Sequence, residues 1–144
     1  MNSEIIEEIV ELDRINMSEV IKTSGGEYSE DMRRSALKRE LASGSQLLTY
    51  YRNGLLAGYL QYTTDNIGAC YVISLQVHPE HRNGVVLRSL LKNFRGEIRI
   101  QNIKELKSSV HTNNKESVSL HERLGFRVVR TENERHQFSL LVGQ

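Results

Sequence analysis

Residues 77–91 combine a helix start with basic side chains, a pattern that suits an anion. The segment reads as a strand, a tight loop and a helix, whose inward positions are apolar: Val86, Leu90, Leu91 and Phe94. The first amides of a helix have no partner within it and carry partial positive charge. Arg82 and Arg88 flank the loop and can make charge-assisted contacts to phosphate. The segment therefore predicts a phosphate-binding loop.

A second polar segment, Asn114–Phe126, reads as a short helix that ends in a glycine and continues as a strand. Four residues recur at i, i+3, i+4 and i+7 and share one face: Ser117, Leu120, His121 and Leu124. Asn114 is a favourable N-cap, and Gly125 suits the left-handed position after a helix. One face of this helix is therefore buried or faces a site.

This helix resembles the last motif of the GNAT acyltransferases, which move an acetyl group from acetyl-coenzyme A onto an amine. The shared pattern is Asn, Ser, Leu, an aromatic or imidazole position, and Leu-Gly-Phe. The loop after Val77 resembles in register the GNAT loop that holds the coenzyme A pyrophosphate. Arg82 takes its first position, whereas Val85 and Leu87 stand where the family has small residues, and the loop glycine is Gly84. The resemblance spans roughly residues 47–141.

The resemblance implies a binding site for acetyl-CoA as acyl donor. The backbone of the strand would pair with the pantetheine arm, and the loop and final helix would complete the site. The residues concerned are Leu75, Gln76, Val77, Arg82, Asn83, Gly84, Val85, Val86, Leu87, Arg88, Asn114 and Ser117. His121 stands where the family has a tyrosine that protonates the departing thiolate. No base is assigned.

Each of these assignments has a structural alternative. Asn83 can cap the helix itself, and the methyl groups of Val85 and Leu87 can fill the phosphate position. The strand before the loop is either bulged and splayed or an ordinary central strand. His121 either donates a proton or packs in the core with a backbone partner.

Two helices precede the strands. Apolar residues at near-helical spacing predict an amphipathic helix over about residues 3–22, ended by Gly25-Gly26. Ser29 begins a second helix whose exposed face carries four basic residues: Arg33, Arg34, Lys38 and Arg39. These four form a solvated face or contact a substrate.

The strands follow from turn signals and alternation. Leu47–Arg52 and Leu55–Thr63 flank Asn53-Gly54, a strong hairpin signal. A third strand, Ala69–His78, ends at Pro79. Alternating apolar residues from Phe126 onward predict a closing hairpin around a long connection over 131–135.

Composition limits the function. A chain of 144 residues fits a single domain, 1–144, and a net charge of +1 gives no basic field for nucleic acid. One cysteine, Cys70, suits a reducing compartment, so the cytoplasm is expected. No apolar run approaches the roughly 20 residues of a membrane span, and the five histidines lack metal-ligand spacing.

The expected fold is α/β (α+β) of the GNAT type, with a mixed, mostly antiparallel sheet flanked by about four helices. The expected function is N-acetyl transfer from acetyl-CoA to a primary amine of a small molecule or peptide by direct attack. A non-catalytic binding or dimerisation module of the same fold is the alternative, and a nucleic-acid module lacks interleaved aromatic residues. The acceptor amine and the choice between monomer and homodimer stay open.

Overall fold

A six-stranded sheet organises the chain in the computed structural model, which describes residues 3–23 and 28–142 and, in the first helix, side chains through residue 17. The helices are α1 (Ser3–Thr23), α2 (Glu30–Ala42), α3 (Val85–Ile100) and α4 (Lys115–Arg123). The strands are β1 (Gln46–Arg52), β2 (Leu55–Thr64), β3 (Ala69–Val77), β4 (Glu105–His111), β5 (Arg127–Glu132) and β6 (Arg135–Leu141). None of the helices in these ranges is long and apolar enough to cross a membrane.

The sheet is mixed, and its strand order is β1-β2-β3-β4-β6-β5. Every neighbouring pair is antiparallel except β3 and β4, which run parallel. A parallel pair needs a crossover connection, which α3 supplies. The described ranges therefore confirm the predicted α/β (α+β) fold with a mostly antiparallel sheet and four helices.

Consecutive residues of β2 point to opposite faces of the sheet and separate the helices into two layers. Tyr59 packs with Ile9 of α1 and Leu37 of α2. The next residue, Leu60, belongs to a cluster that contains Phe94 of α3 and extends to α4. Helices α1 and α2 therefore cover one face, and α3 and α4 lie on the other.

Gly58 of β2 lets the first turn of α3 lie close to the sheet. A Cβ at this position would lie 2.7 Å from Cγ1 of Val86 and 3.0 Å from the carbonyl oxygen of Gln76. Atoms in a packed interior have no room for such an addition. The absence of a side chain at Gly58 therefore allows the short distance between the first turn of α3 and the sheet.

Most predicted elements occur near their expected bounds. Ser29 caps α2, because its hydroxyl accepts from the amide of Met32 at 3.2 Å. Asn53 and Gly54 have φ values of 53° and 80°, as a two-residue hairpin turn requires. The helix end predicted at Gly25-Gly26 lies outside the described residues.

Two predictions at strand ends are wrong. The closing hairpin has no long connection, because Asn133 and Glu134 alone join β5 to β6 with φ values of 52° and 62°. His78 lies beyond the end of β3, where its Nδ1 accepts from the amide of Glu80 at 3.1 Å. It thereby caps the 3₁₀ turn Pro79–His81 that leads toward α3.

Candidate active site

The parallel strands β3 and β4 separate at one end and leave an opening in the middle of the sheet. They pair only over residues 69–72 and 105–108, although β3 runs on to Val77 and β4 to His111. A cavity of about 1160 Å³ lies at this opening. Strand ends that lack a neighbour expose backbone donors and acceptors. The opening can therefore accept an extended ligand.

A β-bulge marks the place where β3 leaves β4. Gln61 of β2 pairs with Ser74, while the next residue of β2 pairs with Val72. Ile73 is therefore the extra residue of a bulge. Of the two alternatives that the sequence left open for this strand, the bulged and splayed one occurs.

The bulged strand presents alternate amides to the opening. The amide of His78 donates to a carbonyl of β2 at 2.8 Å. Because donors alternate sides along a strand, the amides of Leu75 and Val77 face the opening. The backbone of Gln76 faces β2 instead and is not available to a ligand there.

The N-terminus of α3 borders the same cavity. Gly84 is its N-cap with φ 94°, and the side-chain oxygen of Asn83 accepts from the amide of Val85 at 3.1 Å. Asn83 therefore does cap the helix with its own side chain, but it binds only this one amide. The amides of Val86 and Leu87 have no acceptor within the helix and can bind an anion. The Val86 side chain is buried in the core, whereas Leu87 lines the cavity.

Arg82 bridges three elements at the mouth of the cavity. Its Nε donates to the carbonyl of Val77 at 3.1 Å, and its Nη1 donates to the carboxylate of Glu116 at 3.0 Å. Its Nη2 donates to the side-chain oxygen of Asn16 at 2.9 Å. The guanidinium thereby ties α1 and α4 to the end of β3. A phosphate at Arg82 would have to compete with Glu116.

Arg88 folds back over the loop before α3. Its Nη1 lies so close to Gly84 that a Cβ there would be 2.9 Å away. The residue is exposed, and no described carboxylate pairs with it. Arg88 can therefore meet a phosphate at the helix start without giving up an ion pair.

Helix α4 begins and ends as its sequence predicts. The side-chain oxygen of Asn114 accepts from the amide of Ser117 at 3.2 Å, and Gly125 follows the helix with φ 97°. Asn114 and Ser117 both line the cavity. Leu120, His121 and Leu124, on the same stripe, line it too, although Leu124 is also 39% exposed. The stripe therefore faces the site, as its spacing predicts.

His121 is buried, and both ring nitrogens are hydrogen-bonded. Nδ1 lies 2.7 Å from the carbonyl oxygen of Ser117, and Nε2 lies 2.9 Å from the hydroxyl of Ser108 on β4. A carbonyl can only accept, so Nδ1 carries the proton. In the neutral ring, Nε2 then accepts from the Ser108 hydroxyl. His121 and Ser108 both line the cavity.

The surroundings of His121 favour the neutral ring. The imidazole stacks on Phe138 with ring centroids 4.9 Å apart and lies edge-on to Phe126. Burial lowers the pKa of His121 below its ordinary value, although the bond to Ser117 opposes the shift. At neutral pH only a minor fraction of His121 is therefore protonated, and this imidazolium is a stronger acid than an ordinary one.

A buried polar cluster lies on the other face of the opening, beneath α1 and α2. Arg33 Nε donates to Asp13 Oδ2 at 2.6 Å, and the Tyr59 hydroxyl donates to Asp13 Oδ1. The Tyr59 oxygen also lies 2.9 Å from the hydroxyl of Ser74 on β3. Asp13, Arg33 and Ser74 line the cavity. This face of the opening thus carries a carboxylate, a hydroxyl and a guanidinium, and the hydroxyl of Tyr59 is buried behind them.

Arg33 corrects one sequence prediction. The residue was expected on a solvated helix face, but its side chain is only 16% exposed and pairs with Asp13 and, at 3.2 Å, with Glu40. Helical periodicity did not predict this burial, because Arg33 is long enough to reach under the helix to a partner. Arg34 follows the expectation better, since its partners Glu7 and Asp31 are exposed.

Sequence reasoning missed Asp13, Ser74 and Ser108. Asp13 follows Ile9, Val10 and Leu12 on the buried side of α1, so an acid within an apolar stripe was the available signal. Ser74 and Ser108 gave none, because a serine in a strand is unremarkable until its register is known.

A sheet that opens between two parallel strands, with a bulge on one and a helix start at its mouth, defines an acyl-coenzyme A transferase fold. Residues 15–141 match the acetyltransferase (GNAT) domain. The chain therefore belongs to the GNAT family, and it is an acetyltransferase that uses acetyl-CoA as its donor. A comparison with curated proteins finds no match.

Solved structures agree on the fold. The PaiA N-acetyltransferase of Thermoplasma acidophilum, solved with coenzyme A, is 18% identical over 99% of this chain and 96% of its own, with a TM-score of 0.74. An acetyltransferase of Thermus thermophilus is 13% identical over 99% and 94%, with a TM-score of 0.79. The ribosomal-protein-alanine N-acetyltransferase of Brucella melitensis is 16% identical over 99% and 97%, with a TM-score of 0.70.

Proposed function

We propose that this acetyltransferase moves the acetyl group to a primary amine of a small molecule or peptide by direct attack on the thioester. The observation that carries the proposal is the opening at the bulge, where the amides of Leu75 and Val77 face a cavity. Fixed amides can bind an extended pantetheine arm and stabilise the oxyanion that forms at the thioester carbon.

The start of α3 is the proposed site for the pyrophosphate of acetyl-CoA. The amides of Val86 and Leu87 supply donors, and Arg88 supplies positive charge beside Gly84. The amide of Val85 joins them when the side chain of Asn83 rotates away. Asn114 and Ser117 contribute from the facing helix.

His121 is the proposed proton source for the departing thiolate, acting through Ser108. When the ring is protonated, its Nε2 donates to the Ser108 hydroxyl, which can then donate to the sulfur. Ser108 lies at the last residue pair between β3 and β4, where the opening begins. Burial makes the imidazolium of His121 a stronger acid by lowering its pKa.

The acceptor amine enters, in this proposal, from the face beneath α1 and α2. The donor and the acceptor then approach the bulge from opposite sides of the sheet.

A cytoplasmic location suits the single cysteine.

Calorimetry with acetyl-CoA, followed by measurement of thiol release with a panel of primary amines, tests the proposal. We expect micromolar affinity, and a loss of about tenfold in Arg88→Ala. Lys92→Ala, one turn further along the same helix, is the matched control and should bind as the wild type does. Binding that is silent at millimolar acetyl-CoA would favour the non-catalytic module instead. Thiol release that no amine stimulates would refute the amine as acceptor.

A further inference from the structure

We infer that Ser74, Tyr59 and Asp13 form a proton relay that takes a proton from the acceptor ammonium. The inference rests on the proposed function and adds the base that this reaction needs. An amine is protonated near neutral pH and cannot attack until it loses a proton. The relay starts at the bulge of β3, crosses β2 and ends on α1.

The hydrogen bonds of the relay all point the same way. Tyr59 has one hydroxyl proton, and it is donated to Asp13. The contact of 2.9 Å between Tyr59 and Ser74 must therefore use the proton of Ser74. The lone pairs of the Ser74 oxygen are then available to accept from an ammonium. A shift of three protons in the same direction moves one net proton from the amine to Asp13.

Ser74 is the entry to the relay because of its place in the fold. It follows Ile73, the bulged residue, and its side chain lies on the face beneath α1. It lines the cavity. A nucleophile that approaches the thioester from this face would therefore pass within reach of Ser74.

Asp13 is suited to end the relay. It is buried, and Arg33 holds its second oxygen at 2.6 Å, so the carboxylate keeps a fixed position. Burial raises the pKa of Asp13, and the charge of Arg33 opposes the rise. The other titratable groups around Asp13 are Glu40 and Tyr28, together with Tyr59 itself.

The proton balance of the reaction is complete. The ammonium loses one proton to Ser74 as the Ser74 proton passes to Tyr59 and the Tyr59 proton to Asp13. The free amine attacks the thioester carbon, the carbon–sulfur bond breaks, and the electron pair leaves with sulfur. His121, through Ser108, protonates the thiolate, the second amine proton passes to solvent as the amide forms, and His121 regains a proton from solvent. Asp13 returns its proton to solvent by the reverse path.

The test is the pH dependence of kcat/KM in Ser74→Ala and Tyr59→Phe, with the best acceptor found among 1,4-diaminobutane, kanamycin and a peptide with a free N-terminal alanine. At about pH 7 we expect losses of about 100-fold. The losses should shrink toward a few-fold near pH 10, where a much larger fraction of the amine is already neutral. The double variant should be no slower than the slower single variant, because both residues act on one path.

Ser45→Ala is the matched control. Ser45 bonds Gln61 at 2.8 Å within the same polar cluster but lies off the path, so this variant should follow the wild type at every pH. A loss that is equal at all pH values, or no loss, would refute the relay while transfer by the wild type upholds the proposed function. Wild-type protein that acetylates none of the amines would overturn both. Thermal unfolding of each variant shows whether it is folded. If only one of Ser74→Ala and Tyr59→Phe is folded, its pH profile alone decides whether the relay exists.

Discussion

The Nε2 atom of His121 lies 2.9 Å from the hydroxyl of Ser108, and this contact joins α4 to the point where β3 and β4 separate. The imidazole is held from behind by the carbonyl of Ser117. The tautomer and the orientation of the ring are therefore both fixed. Ser108 is the member of the pair that lies on β4, and it occupies the last residue pair between β3 and β4.

Ser108→Ala should lower kcat about tenfold and leave the affinity for acetyl-CoA unchanged. The reason is that the variant cuts the proton path to the thiolate but removes no contact to the cofactor. Stopped-flow turnover and calorimetry measure the two quantities. Ser109→Ala is the control, since Ser109 bonds Arg135 at 2.8 Å and is exposed. Equal kcat in both variants would rule out the role of Ser108.

The burial of His121 should make stability depend on pH. Its pKa is lowered in the folded protein, so the unfolded chain binds more protons in the window below about pH 6.5. The free energy of unfolding should therefore fall as pH decreases through that window, by at most about 1.4 kcal/mol per pH unit. Urea unfolding between about pH 5 and 7.5 measures the slope. His121→Asn should have a shallower slope, and an unchanged slope would contradict the assignment.

Much of the fold could be predicted because its signals are local. Asn53-Gly54 fixes a hairpin by its backbone preferences, and Asn114 and Gly125 mark the two ends of α4. Periodicity predicted α1 and α2 for the same reason. Each of these signals lies within a few residues of the structure that it specifies.

The site was less predictable because it depends on register. The bulge at Ile73 exists only in the pairing of β3 with β2, and no glycine marks it. The bonds from Asp13 to Arg33 and Tyr59 join residues 20 and 46 positions apart. Strand β4 was not predicted from the sequence either. Contacts of this kind appear only after the sheet is assembled.

Gly58→Ala should destabilise the fold and weaken acetyl-CoA binding together. Its Cβ would lie 2.7 Å from Val86, so the first turn of α3 must move, at a cost of about 1–3 kcal/mol. Urea unfolding and calorimetry measure both effects. Gly96→Ala is the control within α3, because nothing lies within 4 Å of a Cβ there. It should stabilise the protein by about 0.5–1 kcal/mol. Equal behaviour of the two variants would show that the close approach of α3 has no role.

Glu134→Gly should stabilise the closing hairpin. Glu134 adopts φ 62° in the two-residue turn between β5 and β6, a conformation that costs a residue with a Cβ about 1 kcal/mol. Asn133 already suits its position, and the variant would create the preferred Asn-Gly pair. We expect a gain of about 0.5–1 kcal/mol in the free energy of unfolding, measured with urea, because the variant gives up only an exposed contact of 3.7 Å between the Glu134 carboxylate and His111. Glu132→Gly, within β5, should destabilise instead, because glycine weakens a strand. A loss of stability in Glu134→Gly would mean that the contact of its carboxylate with His111 outweighs the backbone strain.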